Sequence, residues 1–265
     1  MKKLYFVAVA VLLLSSFSFG EVVGDTESMA PGDVNIFVKT RHIGRLLKSA
    51  NYIVYHIMDE ENRNQFLAEK DSFRDKTGID YLDEESLKKF GVDTSRAISF
   101  AMYDTDNSRD VILFFIPVFN EQEFVQNFIE TVKKTNAADG GQEISPVTTK
   151  YRGVSVTQIK KDAFAAAYGG YFIMASTDDI LRKSIDVREE RKGSLILTAE
   201  YRDYISKDKN NYDLNAFITR KFIEQQYPAS KGEGYGSGEE GNFLPVQGKA
   251  ADQEAFDRET LLKSI

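Results

Sequence analysis

Residues 163–176, which read AFAAAYGGYFIMAS, decide the fold. Two apolar runs, Ala163–Tyr168 and Tyr171–Ser176, flank the pair Gly169-Gly170. A pair of glycines between apolar runs is typical of a tight hairpin, because both turn residues then need a positive φ. Thr177 follows as the N-cap of a helix whose first turn is acidic and whose buried face we predict to contain Ile180, Leu181 and Ile185. The stretch therefore predicts a β-hairpin that leads into a helix.

Five further segments have the β-branched, partly alternating character of strands. They are residues 33–40, 96–103, 111–119, 143–149 and 151–160. These strands are not separated by helices in strict alternation, so the pattern favours an antiparallel arrangement over a parallel α/β fold. We predict an α+β fold, with a mainly antiparallel sheet and helices packed on it.

Helices are predicted wherever apolar residues recur at three- and four-residue intervals. Residues 43–76 fit two helices, and residues 83–91 fit a short one with acids first and a terminal glycine. Asn120 and Glu123 resemble a capping box that opens another helix. The apolar stripe of that helix comprises Phe124, Val125, Phe128, Ile129 and Val132, and we expect it to pack on the sheet.

The N-terminus is typical of a secretory signal peptide. Lys2 and Lys3 precede an apolar core of about 16 residues, and Ser18 and Gly20 place small residues before a cleavage site. The alternative is an uncleaved membrane anchor, but the core is shorter than the roughly 20 residues that a span needs. We predict that residues 1–20 are removed, that residues 21–30 form a polar leader, and that the mature protein is periplasmic or secreted, without a transmembrane span.

Composition excludes several kinds of chemistry. The 265-residue chain has no cysteine, no tryptophan and two histidines. Thiol nucleophiles, disulfides and zinc-finger or iron–sulfur sites all require cysteine. The net charge is −7, and loss of residues 1–20, which hold two lysines and no acids, makes it −9. An acidic chain of this kind should repel nucleic acid, so we expect no nucleic-acid partner.

The C-terminal part of the chain contains a short internal repeat. Residues 213–218 (DLNAFI) repeat the pattern of residues 33–38 (DVNIFV) and would mark the start of a second copy of the same unit. We predict an α+β domain over residues 31–228 and a glycine-rich, acidic, flexible segment over residues 229–248. Residues 249–265 then form a C-terminal helix that belongs either to a truncated second unit or to the core of the first.

The order of these features resembles an exported bacterial family known as the DUF3352 domain. The residues that carry the resemblance are 31–38, 77–80 with 90–93, 151–154 and, above all, 166–176. The resemblance covers roughly residues 31–220. It implies an α+β fold outside the cytosol and brings no activity with it, because these positions set turns and cores.

One loop has part of the composition of a calcium site. Oxygen ligands recur at alternate positions, at Asp104, Asp106, Ser108 and Asp110. However, Arg109 stands where such a loop needs glycine, and Phe115 stands where it needs a bidentate glutamate. A solvated hairpin turn explains the same residues.

Other candidate sites are weaker. His42 and His56 would be about 21 Å apart on one continuous helix, too far to share a metal. Neither residues 153–157 nor residues 236–238 place two glycines around serine as a nucleophile elbow requires. Acidic runs occur at residues 59–61, 83–85 and 239–240, where solvated faces or helix starts are the ordinary explanation.

The sequence thus predicts no catalytic, cofactor-binding or metal-binding residue and no cofactor. The first hypothesis is a non-catalytic binding or scaffolding module of the cell envelope, with an unknown protein or small ligand as its partner. It depends on 13 tyrosines and 19 phenylalanines, which suffice for a core and an apolar groove. The alternatives are a carboxylate-dependent hydrolase acting on envelope polymers and a calcium-stabilised adhesin-like protein.

Overall fold

A computed structural model describes residues 26–103, 111–141, 143–207 and 214–226. Within these ranges the chain forms eight strands and seven α-helices. The strands are β1 (Ile36–Thr40), β2 (Ser99–Tyr103), β3 (Val111–Pro117), β4 (Val147–Tyr151), β5 (Val154–Lys160), β6 (Ala163–Tyr168), β7 (Tyr171–Ala175) and β8 (Leu214–Ile218). The helices are α1 (Ile43–Tyr52), α2 (Glu60–Thr77), α3 (Glu84–Phe90), α4 (Glu121–Ala138), α5 (Asp178–Glu190), α6 (Ala199–Lys207) and α7 (Arg220–Gln226).

All eight strands belong to one antiparallel sheet with the order β4-β5-β6-β7-β3-β2-β1-β8. The predicted α+β fold with a mainly antiparallel sheet is therefore confirmed. The two segments of the short repeat, residues 33–38 and 213–218, contribute neighbouring strands of this sheet, in which Ile218 of β8 pairs with Ile36 of β1. Any second copy of the unit would involve residues after 226, which lie outside the described ranges.

The hairpin predicted from residues 163–176 is formed by β6 and β7. Gly169 and Gly170 both have positive φ, at 66° and 80°. A Cβ atom at Gly170 would also lie 2.8 Å from Nη1 of Arg96, which donates a hydrogen bond to the Gly170 carbonyl and covers the Tyr171 ring. Glycine is needed here both for the turn and for the close approach of the arginine.

Several boundaries differ from the prediction. The strand predicted at residues 143–149 begins only at Val147, because Pro146 has no N–H for a ladder hydrogen bond. The next turn lies at Arg152 and Gly153, both with positive φ, so β4 extends through Tyr151. The strands predicted at residues 33–40, 96–103 and 111–119 are likewise shorter, as given above.

The predicted leader, residues 21–30, is partly a structural segment. Residues 21–25 lie outside the described ranges, whereas Thr26, Met29 and Ala30 are almost fully buried. The domain therefore begins before Pro31. The Ser184 hydroxyl of α5 donates to the Met29 carbonyl, which fixes this segment under the helix.

One face of the sheet, the closed face, is covered by α5, α6 and the 3₁₀ turn Leu195–Leu197. Ile180, Leu181 and Ile185 of α5 are buried there, as predicted, and Thr177 accepts the N-cap hydrogen bond from Ile180. The sheet contributes fully buried side chains that include Leu113, Phe115 and Ile173. This face holds the larger of the two buried clusters.

The opposite face is covered by α1, α3 and α4 over the part formed by β5, β6, β7 and the adjoining ends of β2 and β3. The predicted α4 stripe is confirmed for Phe124, Val125, Phe128 and Val132, and Phe124 and Phe128 contact Phe172 at ring-centroid distances of 4.9 and 4.7 Å. Asn120 caps α4 by accepting from two backbone N–H groups. The two helices predicted in residues 43–76 are α1 and α2, joined through a π-helical turn at Ile53–Ile57.

Candidate binding surface

The second face also contains an apolar area that belongs to neither buried cluster. Successive side chains of a strand point to opposite faces of the sheet. Phe37, Ala101 and Leu113 lie side by side on β1, β2 and β3 and point to the closed face. The residues before and after each of them therefore point to the second face. These residues are Ile36 and Val38 on β1, Phe100 and Met102 on β2, and Ile112 and Phe114 on β3. We call these six residues the open face.

Every member of the open face is half-buried. Register places Val38 beside Phe100 and Phe100 beside Phe114, with the two phenylalanine ring centroids 5.0 Å apart. By contrast, Phe172 lies on the same side of the sheet beneath α4 and is fully buried. The open face is thus a set of contiguous apolar side chains that the covering helices do not seal.

The surface extends to an edge of the sheet. Ala216 on β8 pairs with Val38 and is exposed, and the neighbouring Ile218 is half-buried. Four strands, β8, β1, β2 and β3, span about 14 Å at the usual strand spacing, and five-residue strands are about 17 Å long. An apolar area of this size fits one helix or a short segment of a partner.

A groove between α2 and α4 has a volume of about 240 Å³. Its lining includes Phe73, Phe128 and Val132, and a 2.6 Å ion pair between Lys76 and Asp139 joins the two helices beside it. Drug-sized ligand pockets usually measure about 300–1,000 Å³. This groove is therefore a poor candidate for a small-molecule site.

A buried polar network lies on the closed-face side of the sheet. Lys39 Nζ is 2.8 and 2.9 Å from the two carboxylate oxygens of Glu27, and Tyr201 donates to the same carboxylate at 3.1 Å. Thr26 donates to it as well and contacts Ser99. These hydrogen bonds hold residues 26–30 onto β1 and α6. Because Glu27 and Lys39 are both almost fully buried, the network offers no access to a substrate.

A second carboxylate cluster lies between α2 and the loop before α3. Lys70 Nζ is 2.6 Å from Asp80 and 3.1 Å from Asp71. Burial alone would raise the pKa of Asp80, but hydrogen bonds from Lys70 and the Leu82 N–H outweigh it and hold that pKa below its ordinary value. The hydrogen bond to Asp80 raises the pKa of Lys70 above its ordinary value. Both groups are held in their charged forms, whereas a general acid or a nucleophilic lysine needs the opposite shift.

A third cluster ties the β4–β5 turn to α5. The Tyr151 hydroxyl is 2.8 Å from both carboxylate oxygens of Asp186, and Arg152 Nε is 2.6 Å from the same group. Arg152 also pairs with Glu190. The two-residue turn between β4 and β5 has positive φ at both residues, as tight hairpins do, and these contacts tie Arg152 of that turn to α5.

The acidic runs at residues 59–61 and 83–85 are helix starts. Asp59 and Asp83 are the N-caps of α2 and α3. Hydrogen bonds from the backbone and side chain of Asn62 lower the pKa of Asp59, and hydrogen bonds from Lys88 and Thr94 lower the pKa of Glu84. The third run, residues 239–240, and the serine at 237 lie outside the described ranges. The carboxylate-dependent hydrolase remains a prediction.

The two histidines play separate roles. His42 does not lie on α1 but is its N-cap residue, with Nδ1 2.5 Å from the Ser95 carbonyl oxygen. His56 lies in the π-helical turn, and its ring centroid is 5.0 Å from that of Tyr52. Among the residues that the structure describes, no three His, Asp or Glu side chains are grouped so as to hold a metal ion. The calcium candidates, residues 104–110, fall outside those residues.

Sequence reasoning did not identify the open face, although a signal for it exists. Residues 99–103 and 111–117 are apolar at nearly every position, instead of alternating with polar residues. Strands that are apolar at nearly every position are usually buried on both faces of the sheet. Only the three-dimensional placement of α1, α3 and α4 reveals where that cover is missing.

Comparison with known proteins adds no relative: no family model, no curated protein and no solved structure matches this chain. The resemblance to the DUF3352 domain therefore stays a prediction. Within the described ranges, no helix combines the length and apolar composition that crossing a bilayer requires.

Proposed function

We infer that this chain is a non-catalytic binding or scaffolding module of the bacterial envelope, and that it holds an apolar partner on the open face. The observation that carries this proposal is the contiguous set of six half-buried apolar side chains on β1, β2 and β3. Apolar side chains that lie side by side on one sheet face and stay partly accessible offer a surface that a partner would bury further.

The chemistry of the titratable groups supports binding over catalysis. The buried carboxylate of Glu27 is neutralised by Lys39, and the half-buried carboxylate of Asp80 by Lys70. A carboxylate whose pKa is held low by a cation, as that of Asp80 is, does not supply the proton that hydrolysis of an envelope polymer would need. The open face, in turn, consists of apolar side chains and has no group for proton transfer.

The proposed location follows from the sequence. The charged and apolar pattern of residues 1–20 is that of an export signal, and the resemblance to an exported family agrees with it. Residues 1–20 lie outside the described ranges. An acidic protein with an apolar sheet face is suited to an amphipathic protein segment more than to nucleic acid or anionic headgroups.

Site-specific photo-cross-linking in the cells that produce the protein tests this function. A photoreactive phenylalanine analogue replaces Phe114 in the open face, and a matched variant carries it at Phe119, which is 63% exposed beyond the end of β3. We expect a discrete adduct with an envelope component from position 114 and several-fold less from position 119. Equal yields at the two positions, or no adduct with another molecule from position 114, would contradict the proposal.

A further inference from the structure

We propose that a second copy of this chain packs on the outer side of α1, antiparallel to it about a twofold axis. This helix belongs to the helical layer on the second face of the sheet, which α1, α3 and α4 form. In a twofold dimer both copies present the same surface to each other, so that surface has to be complementary to itself. The inference does not depend on the open face, because the outer side of α1 points away from the sheet.

The chain from α1 into the π-helical turn has one buried side and one exposed side. The buried side comprises residues that recur at four- and three-residue intervals, namely Ile43, Leu47, Ala50 and Val54. The exposed side has the same periodicity and comprises Arg45, Lys48, Tyr52 and His56. Since a helix has 3.6 residues per turn, these four exposed side chains form one stripe that faces away from the buried one.

The middle of the exposed side is apolar. Three of the eight large apolar side chains that are exposed in the described ranges fall within six consecutive positions, namely Tyr52, Tyr55 and Ile57, at 59%, 49% and 64%. The Tyr52 ring also contacts the His56 ring at 5.0 Å. Apolar side chains that are grouped on a surface mark interaction sites, and π-helical turns are rare and frequent at functional sites. We call Tyr52, Tyr55, His56 and Ile57 the aromatic corner.

Charges of opposite sign flank the aromatic corner. The exposed bases Arg45 and Lys48 precede it on α1, and the exposed acids Asp59, Glu60 and Glu61 follow it at the start of α2. A parallel copy would bring base against base and acid against acid. An antiparallel copy brings the basic end of each chain against the acidic end of the other, with the two aromatic corners between them.

This charge pattern favours a second copy over an anionic partner. Nucleic acid or an anionic headgroup surface would meet the acids at residues 59–61 and a mature net charge of −9. A second copy of the chain, in contrast, is matched in charge at both ends of the contact. The same acids that oppose an anionic partner therefore contribute to the dimer.

The size of the contact predicts a weak dimer. Residues 45–57 span about 20 Å at the rise of a helix. With aromatic side chains of about 150–250 Å², the exposed parts of Tyr52 and Tyr55 amount to roughly 200 Å² on each copy. One helical face of this size buries less than the standard interface of about 800 Å² per partner. The protein should therefore be monomeric at low micromolar concentration and should dimerise as the concentration rises.

Sedimentation velocity over a micromolar to millimolar concentration series tests whether the aromatic corner mediates dimerisation. Tyr52→Ser removes a side chain at its centre, and Phe119→Ser is the matched control, because Phe119 is 63% exposed elsewhere on the molecule. We expect Tyr52→Ser to raise the dissociation constant of the dimer by about tenfold or more and Phe119→Ser to leave it unchanged. A natural protein that stays monomeric throughout, or equal effects of the two variants, would overturn the inference.

Charge reversal tests the antiparallel arrangement. The basic-end variant is Arg45→Glu/Lys48→Glu, and the acidic-end variant is Glu60→Lys/Glu61→Lys. Each variant alone brings like charges together, so we expect its self-association to weaken by about tenfold or more. Mixing the two variants restores opposite charges at both ends of the contact. The mixture should therefore form heterodimers with an affinity close to that of the natural protein.

A third charge variant separates this contact from a general effect of net charge. Glu123→Lys/Glu130→Lys changes the charge by the same amount as the acidic-end variant, at exposed positions of α4. Both variants make the protein less negative, which by itself would favour association. We expect only the acidic-end variant to associate more weakly than the natural protein. Urea denaturation of the same variants shows that they are folded. A mixture of folded basic-end and acidic-end variants that fails to form heterodimers would overturn the antiparallel dimer.

Discussion

Both faces of this sheet carry apolar side chains, but they differ in how those side chains are covered. Ile173 and its neighbour Met174 show the contrast on one strand: Ile173 is fully buried under α5, and Met174 on the other side is only half-buried. The difference teaches that apolar composition alone does not mark a core. A core also needs elements placed over it.

The cause lies in where the covering helices enter the chain. α5 follows β7 at the centre of the sheet and lies directly on β3, β6 and β7. On the other side, α4 packs on β6 and β7, and the α1 residues Ile43 and Leu47 join the same cluster. The cover that α1 and α4 provide is therefore concentrated over β6 and β7, and the open face lies beyond it on β1, β2 and β3.

The largest effect is expected from the ion pair on the closed face. Lys39→Met leaves the Glu27 carboxylate buried without its cation, and we expect the free energy of unfolding to fall by about 3–5 kcal/mol. Urea denaturation measures this loss. The double variant Lys39→Met/Glu27→Gln removes both charges, and it should recover much of the stability. A double variant as unstable as the single one would show that the two charges do not act as a pair.

Isoleucines on the two faces provide a matched comparison. Ile173→Ala on the closed face should cost about 3 kcal/mol, because it leaves a cavity in a sealed core. Ile112→Ala on the open face should cost about 1 kcal/mol, because its side chain is half-buried. Equal losses in the same denaturation experiment would mean that the open face is as well covered as the closed one.

The stabilisation of the helices on the second face by the Lys70–Asp80 ion pair should depend on pH. Asp80→Asn removes the nearer of the two carboxylates that pair with Lys70, and we expect a loss of about 1–2 kcal/mol at neutral pH. Because the pKa of Asp80 in the folded state is lowered from 3.8, its contribution is present above that pH and disappears as the pH falls through the lowered value. Denaturation curves of wild type and variant should therefore differ at neutral pH and converge at acidic pH. A constant difference at all pH values would contradict the role of the ion pair.

The smallest effect is expected on the outer side of the helical layer. Tyr52 and Ile57 are 59% and 64% exposed. Replacing either with serine should change the free energy of unfolding by no more than about 0.5 kcal/mol. A larger loss would indicate that this exposed surface is covered in the folded protein.

Local features of this fold could be predicted from the sequence because they depend on near neighbours in the chain. The caps at Asn120 and Thr177 are examples, since each accepts from backbone N–H groups two or three residues ahead. The Gly169-Gly170 turn is another, since the positive φ angles belong to the two glycines themselves. The buried residues before Pro31 could not be predicted, because Thr26 and Glu27 find their partners on distant strands and helices.

The candidate surface was less predictable than the fold. Its apolar residues are visible in β2 and β3, but their exposure depends on β8 joining β1 after more than 170 residues and on helices from two different connections. Which apolar side chain lacks cover is a property of this long-range packing. No short sequence pattern carries that information.

Thiol labelling of single-cysteine variants tests the contrast between the two faces most directly. Ile112 and Ile173 are the same residue type on opposite faces of the neighbouring strands β3 and β7, and the natural chain has no cysteine that would add background labelling. We predict that Ile112→Cys reacts with a maleimide under native conditions through local opening, at a rate far above that of Ile173→Cys, which reacts only after global unfolding. Equal labelling rates that both follow global stability would contradict the existence of an open face.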